Sequence, residues 1–145
     1  MIYTIGYGNK GLKYLINELL KNNINNLLHV RSIPYSKYNP DFNKDWFKYE
    51  LDKKNINYYW FGKNIGGLGD NVNHEETLDK IAKEYGNEEK KHCAIMCSEE
   101  DFKRCHKEQL ADKLVDRGCM VVKHIFREET IIHKREIVVD QTTLF

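Results

Sequence analysis

The stretch from His92 to Leu114 constrains this chain more than any other: HCAIMC, SEEDFKR and CHKEQLADKL follow one another without a break. The apolar run reads as a buried strand, the middle as a charged loop, and the last part as a helix with one apolar face. In open α/β sheets ligands sit beyond the carboxyl ends of the strands, where a helix N-terminus also offers free N–H groups and a positive dipole end. Cys97 stands at that strand end, and Arg104, Cys105 and His106 crowd the helix start. Chemistry is expected there.

The same alternation runs along the chain. IYTIG is a strand closed by the turn formers Gly6, Gly8 and Asn9, and Leu12, Leu15, Ile16, Leu19 and Leu20 then mark one face of a helix. NLLHV is a second strand, so strand, helix, strand implies a parallel pair with a right-handed crossover. Pro34 and Pro40 keep the long loop from Arg31 to Asn43 out of helix and ladder. A helix over Asp45 to Lys54 offers Trp46, Phe47 and Leu51 for packing. INYYWF is a third strand, and Gly66, Gly67 and Gly69 form a turn after it without making a Rossmann or P-loop fingerprint. A helix over His74 to Tyr85 ends at Gly86, and another starts near Cys105 and stops at Gly118. CMVVKHI is a fifth strand, and Ile137 to Val139 is the candidate for a sixth at the edge. The fold class is therefore α/β: one domain over residues 1–140, with a mostly parallel sheet of five or six strands and helices on both faces.

Composition narrows the function. A chain of 145 residues that is 41% hydrophobic, with two prolines, suits one packed domain. No apolar run approaches the ~20 residues that span a bilayer. The start lacks the pattern of a signal peptide, so a cytoplasmic location away from membranes is expected. The four cysteines then read as thiols, metal ligands or catalytic groups before a disulfide framework. A net charge of +1 excludes a globally basic nucleic-acid binder and leaves only a local patch for such a partner.

Cys97 and Cys105 bracket a polar loop that has no packing reason to carry thiols, whereas Cys93 and Cys119 lie in apolar runs and read as core. The helix dipole and Arg104 both favour a thiolate, the reactive form. His106 is within reach of both thiols and titrates near neutral pH. His29, His92 and His124 read as packing residues, and His74 and His133 as surface. Cys93 and Cys97 would lie about 13 Å apart on one strand at roughly 3.3 Å per residue, so they share no metal there. No metal or cofactor is expected. Strand, Cys, loop and Arg resemble the phosphatase and rhodanese arrangement, but six residues separate Cys97 from Arg104 where those phosphatases use five, and Glu99, Glu100 and Asp101 repel phosphate. A transient disulfide between Cys97 and Cys105 is a further option. The loop RSIPYSKYNPDFNKDWF interleaves Arg31, Lys37 and Lys44 with Tyr35, Tyr38, Phe42 and Trp46, so cations can track phosphates while rings stack bases. A lid whose aromatics pack on the sheet is the competing reading, strongest for Phe42 and Trp46.

With these motifs in hand, the chain resembles the family catalogued as domain of unknown function 488. The resemblance rests on Tyr3 to Asn9, on Val30 to Pro34, on Pro40 to Asn43, on Ile65 to Gly67, and on Cys97 with Arg104 to His106. That family usually has Asp before the V-R-S motif, where this chain has His29. The resemblance implies a compact α/β domain with these motifs at one site, and no established reaction comes with it.

The residues then suggest a site in which His106, Cys97 and Cys105 do acid, base or nucleophilic work. Arg31, Ser32, Lys37, Phe42, Glu99 and Arg104 would bind a nucleotide or nucleic acid. A non-catalytic single-strand-binding or adaptor protein is one alternative, and a small-molecule thiol enzyme of sulfurtransferase or phosphatase type is another. Whether the chain is an enzyme stays open. Residues 141–145 read as a docking peptide in which Gln141, Leu144 and Phe145 resemble the motif by which bacterial DNA-processing proteins bind the sliding clamp. A terminal Leu-Phe covering the sheet edge competes with that reading.

Overall fold

The computed structural model describes residues 1–67, 71–87, 90–119 and 122–134. Within them a six-stranded sheet forms in the order β3-β2-β4-β1-β5-β6. The strands are β1 (Ile2–Gly6), β2 (Asn26–His29), β3 (Asn57–Trp60), β4 (Cys93–Cys97), β5 (Val122–Phe126) and β6 (Glu129–Ile132). The first five are parallel, and β6 runs antiparallel to β5. Every residue of β1 and β4 is buried, as continuous apolar runs covered on both faces require, while β6 is exposed throughout. The helices are α1 (Gly11–Lys21), α2 (Lys44–Asp52), the short α3 (Gly62–Ile65), α4 (His74–Tyr85) and α5 (Lys107–Asp116).

Side-chain alternation along the strands divides the core in two. Leu15, Ile16 and Leu19 of α1 with Phe47 and Leu51 of α2 cover Tyr3, Ile5, Leu27 and Met96. Leu78 and Ile81 of α4 with Leu110, Ala111 and Leu114 of α5 cover Ile2, Leu28, Ile95 and Cys97 on the other face. The single α/β domain with helices on both faces is as the periodicities indicate.

Three features differ from the sequence reading. The strands β1 and β2 are parallel but not neighbours, because β4 lies between them, pairing Ile95 with both Thr4 and Leu28. Pro40 does enter a helical turn: it opens a 3₁₀ turn over Pro40–Phe42, where its missing N–H costs nothing. Among the described residues a strand that the pattern did not indicate, β6, follows β5, reached through Arg127 and Glu128 at φ of 52° and 68°, the geometry of a two-residue hairpin turn. Neither residue favours positive φ, but Glu128 N–H donates to the Tyr14 hydroxyl at 3.2 Å, and Lys21 donates to the Glu128 carbonyl at 3.3 Å. Helix α1 thus holds the turn. The candidate strand Ile137 to Val139 lies outside the described residues.

The hairpin is also tied down from inside. Thr4 Oγ1 lies 2.6 Å from His124 Nδ1, His124 Nε2 lies 2.8 Å from His133 Nδ1, and His133 Nε2 lies 2.7 Å from Asp112 Oδ1. His133 is not a surface residue, since its side chain is 2% exposed and completes this chain of hydrogen bonds. No helix among the described residues is long and apolar enough to cross a membrane.

Candidate functional site

Past β4 the chain turns to α5 over one face of the sheet, while β1 and β2 lead to α1 and α2 over the other. Loops that part in this way leave a crevice at the carboxyl ends of the strands. The cleft found there holds about 360 Å³ and is lined by Arg31, Ser32, Ile33, Tyr35, Gly67, Cys97, Ser98, Glu99, Cys105 and His106. Six of the residues singled out from sequence therefore share one pocket: Arg31, Ser32, Cys97, Glu99, Cys105 and His106.

Cys97 ends β4 and is 3% exposed; Cys105, just before α5, is half-buried. Both are free thiols, and their sulfurs lie 3.4 Å apart. The Lys107 backbone N–H donates to Cys105 Sγ at 3.3 Å, and Lys107 Nζ donates to the Glu99 carbonyl. The hydrogen bond it shares with Cys105 holds the Cys97 thiol below its ordinary value; burial opposes this, and the Lys107 charge adds to the lowering. Cys105 moves the other way, raised by sharing that hydrogen bond with Cys97 and by burial. The two thiols of the pair are thus shifted in opposite directions. Cys93 and Cys119 are buried in the core, where desolvation raises both thiols.

The cation beside the two thiols is Lys107, not Arg104. Phe102 packs inward in the 3₁₀ turn Phe102–Arg104, its ring 3.8 Å from that of His124 and parallel to it. Arg104, two residues on, is turned into solvent and does not line the cleft. Lys107 is 1% exposed. Its signal was available in the sequence: Lys107, Leu110, Ala111 and Leu114 follow the spacing of an apolar helix face, and a lysine on such a face needs a partner.

Arg31 does reach the site, and it is positioned from below. Its Nη1 donates to the Tyr7 hydroxyl at 2.9 Å, and Trp60 Nε1 donates to its carbonyl at 2.8 Å. The Tyr7 ring stacks on Phe42 at 3.9 Å. Phe42 is 4% exposed and forms the floor under Tyr7, so it is a supporting residue and not part of the lining. Burial raises the Tyr7 phenol, which keeps it a neutral partner for the guanidinium. Tyr7 was missed because a tyrosine after a strand carries no chemical signature without its partner. Lys37 is exposed, its ammonium 5.2 Å from the Tyr38 ring centre, and lies outside the lining. Trp46 is half-exposed beside Tyr49 and does not pack on the sheet. Gln141, Leu144 and Phe145 lie outside the described residues, as do Gly69 and Asp70.

His106 immediately precedes α5 and lines the cleft. Burial lowers its pKa, and the Lys107 charge lowers it further, so the neutral ring is favoured. Gly67 packs closely against it, since a Cβ there would stand 3.3 Å from His106 Nδ1.

Gly6 sets the closest backbone approach in the site. A Cβ there would lie 1.8 Å from the Glu99 carbonyl oxygen, the acceptor of Lys107. Gly6→Ala is expected to cost about 3 kcal/mol or more, because backbone and not a side chain must yield, and to slow alkylation of Cys97. Gly11→Ala, which meets no atom within 4 Å but sits at φ +84°, should cost only about 1 to 2 kcal/mol. Urea unfolding of the two variants checks the difference.

No curated protein and no solved structure matches the chain. A family model does match over residues 11–88, described as a domain of unknown function, DUF488. That span takes in the V-R-S-x-P, P-x-F-N and Ile-Gly-Gly motifs and more than half of the chain, and by it the chain belongs to the DUF488 family.

Proposed function

We propose that the chain is a thiol-dependent enzyme in which Cys97 is the nucleophile, His106 moves protons and Arg31 holds an anionic substrate. The observation that carries this reading is the thiol pair: two sulfurs 3.4 Å apart beside a buried lysine, opening on a cleft that also presents Arg31. Burying an ammonium beside a thiol has a large desolvation cost unless the thiol is ionised, so the arrangement favours the thiolate and the charge together. Alkylation of the full chain with iodoacetate across pH, read by peptide mass, tests it. Cys97 should react first, with a midpoint below that of an ordinary thiol; equal reactivity of all four cysteines, or none at Cys97, would remove the proposal.

A nucleotide or nucleic acid is a reading of the same cleft favoured by its rim. Tyr35 lines it and is half-exposed, and Tyr38 is 81% exposed beside Lys37, so a base could stack while Arg31 meets a phosphate. Salt-dependent binding of short single strands, weakened by Arg31→Ala and Lys37→Ala, is expected on this reading. A non-catalytic binder would show that binding without a reactive Cys97. Tethering to a sliding clamp through Gln141, Leu144 and Phe145 is a separate proposal, checked by a pull-down with and without residues 141–145.

A further inference from the structure

The contact between the two thiols says which bonds Cys97 acts on. If Cys97 formed a phosphocysteine, a neighbouring thiol would be a nuisance, since displacement at the Cys97 sulfur would have to expel a poor leaving group. If Cys97 forms a mixed disulfide or a persulfide, a thiol beside it is the group that resolves the adduct by attack on sulfur. We propose that Cys105 is the resolving thiol of a dithiol cycle and that the substrate is an anion containing a sulfur–sulfur bond. The proposal rests on Cys97 being the nucleophile, as above.

The steps balance without an added oxidant. The Cys97 thiolate attacks one sulfur of R–S–S–R′, forming Cys97–S–S–R and expelling R′–S⁻. The Cys105 thiol then attacks Cys97 Sγ, the internal disulfide forms, and the proton of Cys105 leaves with R–S⁻ as R–SH. The substrate is reduced by two electrons and the pair is oxidised by two, and two equivalents of an external thiol then reduce the internal disulfide by exchange to close the cycle.

The geometry suits this order of events. Cys97 is fixed at the end of a buried central strand, while Cys105 follows a 3₁₀ turn whose other residues, Lys103 and Arg104, are exposed. Closing from 3.4 Å to a bonded distance near 2.05 Å needs the Cys105 turn to move only about 1.4 Å. The Lys107 N–H on Cys105 Sγ favours its thiolate as the proton leaves. Arg31 on the lining selects for an anionic R or R′.

The experiment uses the reduced full chain, oxygen-free buffer and a dianionic bis(nitrobenzoate) disulfide whose released thiolate is coloured. The double variant Cys97→Ser with Cys105→Ser gives the background from Cys93 and Cys119. Above it, the wild-type chain should release two coloured thiolates and lose the mass of two hydrogens, with Cys97 and Cys105 linked in the peptide map. Cys105→Ser should release one and retain the aryl adduct on Cys97, and Cys97→Ser should react at least tenfold more slowly than Cys105→Ser. A wild-type chain that keeps a stable aryl adduct on Cys97, or two adducts with no internal disulfide, overturns the resolving role and leaves the nucleophile reading standing. Adduct formation at Cys105 that is as fast in Cys97→Ser as at Cys97 in Cys105→Ser overturns the assignment of roles. Failure of iodoacetate and disulfide alike to reach Cys97 overturns both readings. Thermal melts of the serine variants separate lost chemistry from lost folding.

Discussion

Lys107→Met is expected to move the midpoint of the Cys97 alkylation profile upward and to slow the reaction in mild acid, below that midpoint. Cys97 is 3% exposed, and burial alone favours its neutral thiol. What remains without the ammonium are the hydrogen bonds that Cys97 shares with Cys105 and with the Glu99 backbone. Each unit of rise in the thiol pKa removes about tenfold of thiolate below the midpoint. Stability should change little or improve. Methionine matches the length of the lysine stem among Leu110, Ala111 and Leu114, and removing a buried ammonium relieves its desolvation, against the loss of about 1 to 3 kcal/mol when the Glu99 carbonyl loses its donor. The two readouts together are decisive: a residue that merely packs would lower the melting temperature and leave the pH midpoint in place. An unchanged midpoint in a folded Lys107→Met chain would show that Lys107 does not act on Cys97.

The second large effect is loss of stability in mild acid. His29 and His124 are both fully buried, and burial brings their pKa values down to about 4 and about 3. Arg31 adds to the shift at His29, and His133 and Lys107 add to it at His124. A histidine whose folded pKa is depressed binds fewer protons than the same residue unfolded, so stability is lost as pH falls below the unfolded value near 6.5. Between about pH 7 and about pH 5 each ring should cost about 2 kcal/mol, or about 4 kcal/mol together, and His106 shifts in the same direction. Below about pH 3 the loss levels off as the folded rings protonate. Urea unfolding at the two pH values measures it. His29→Gln should remove about half of the difference; the ring's contacts, Tyr58 at 2.7 Å from Nδ1 and Phe47 edge-on, are away from the cleft. A chain equally stable at both pH values would mean that these rings are not buried neutral.

His29 also bears on the family pattern. Where the resemblance leads one to expect Asp before V-R-S, this chain carries a ring under the opposite face of the sheet from Cys97, kept neutral by burial. The cleft does not need a carboxylate at that position, since His29 does not line it.

Much of this was decided by local pattern. HCAIMC could only be a strand covered on both faces, and the spacing of Leu110, Ala111 and Leu114 could only bury one side of a helix. The strand therefore delivers Cys97, and the helix start delivers Cys105 and His106, to the same end of the sheet. The lysine in register with that apolar face is legible in the sequence too, from the spacing of Lys107 with Leu110, Ala111 and Leu114. Periodicity records which face a residue turns to, however, and not which strand lies beside it. The insertion of β4 between β1 and β2 follows from long-range pairing that any order of equally apolar strands would satisfy as far as local pattern can tell, yet it is what brings Arg31 of the β2 loop against Cys97. The hairpin through Arg127 and Glu128 was hidden because its positive φ angles are held by Tyr14 and Lys21, not by turn-forming residues. Arg104 faces solvent because Phe102 two residues earlier takes the inward position against His124, a choice made by the stacking partner on β5 and invisible along the loop itself. The strand, the helix and the two thiols are thus properties of the sequence, while the 3.4 Å between the sulfurs and the lysine beside them exist only once distant segments pack, because contact energy is gained between faces that no local spacing names.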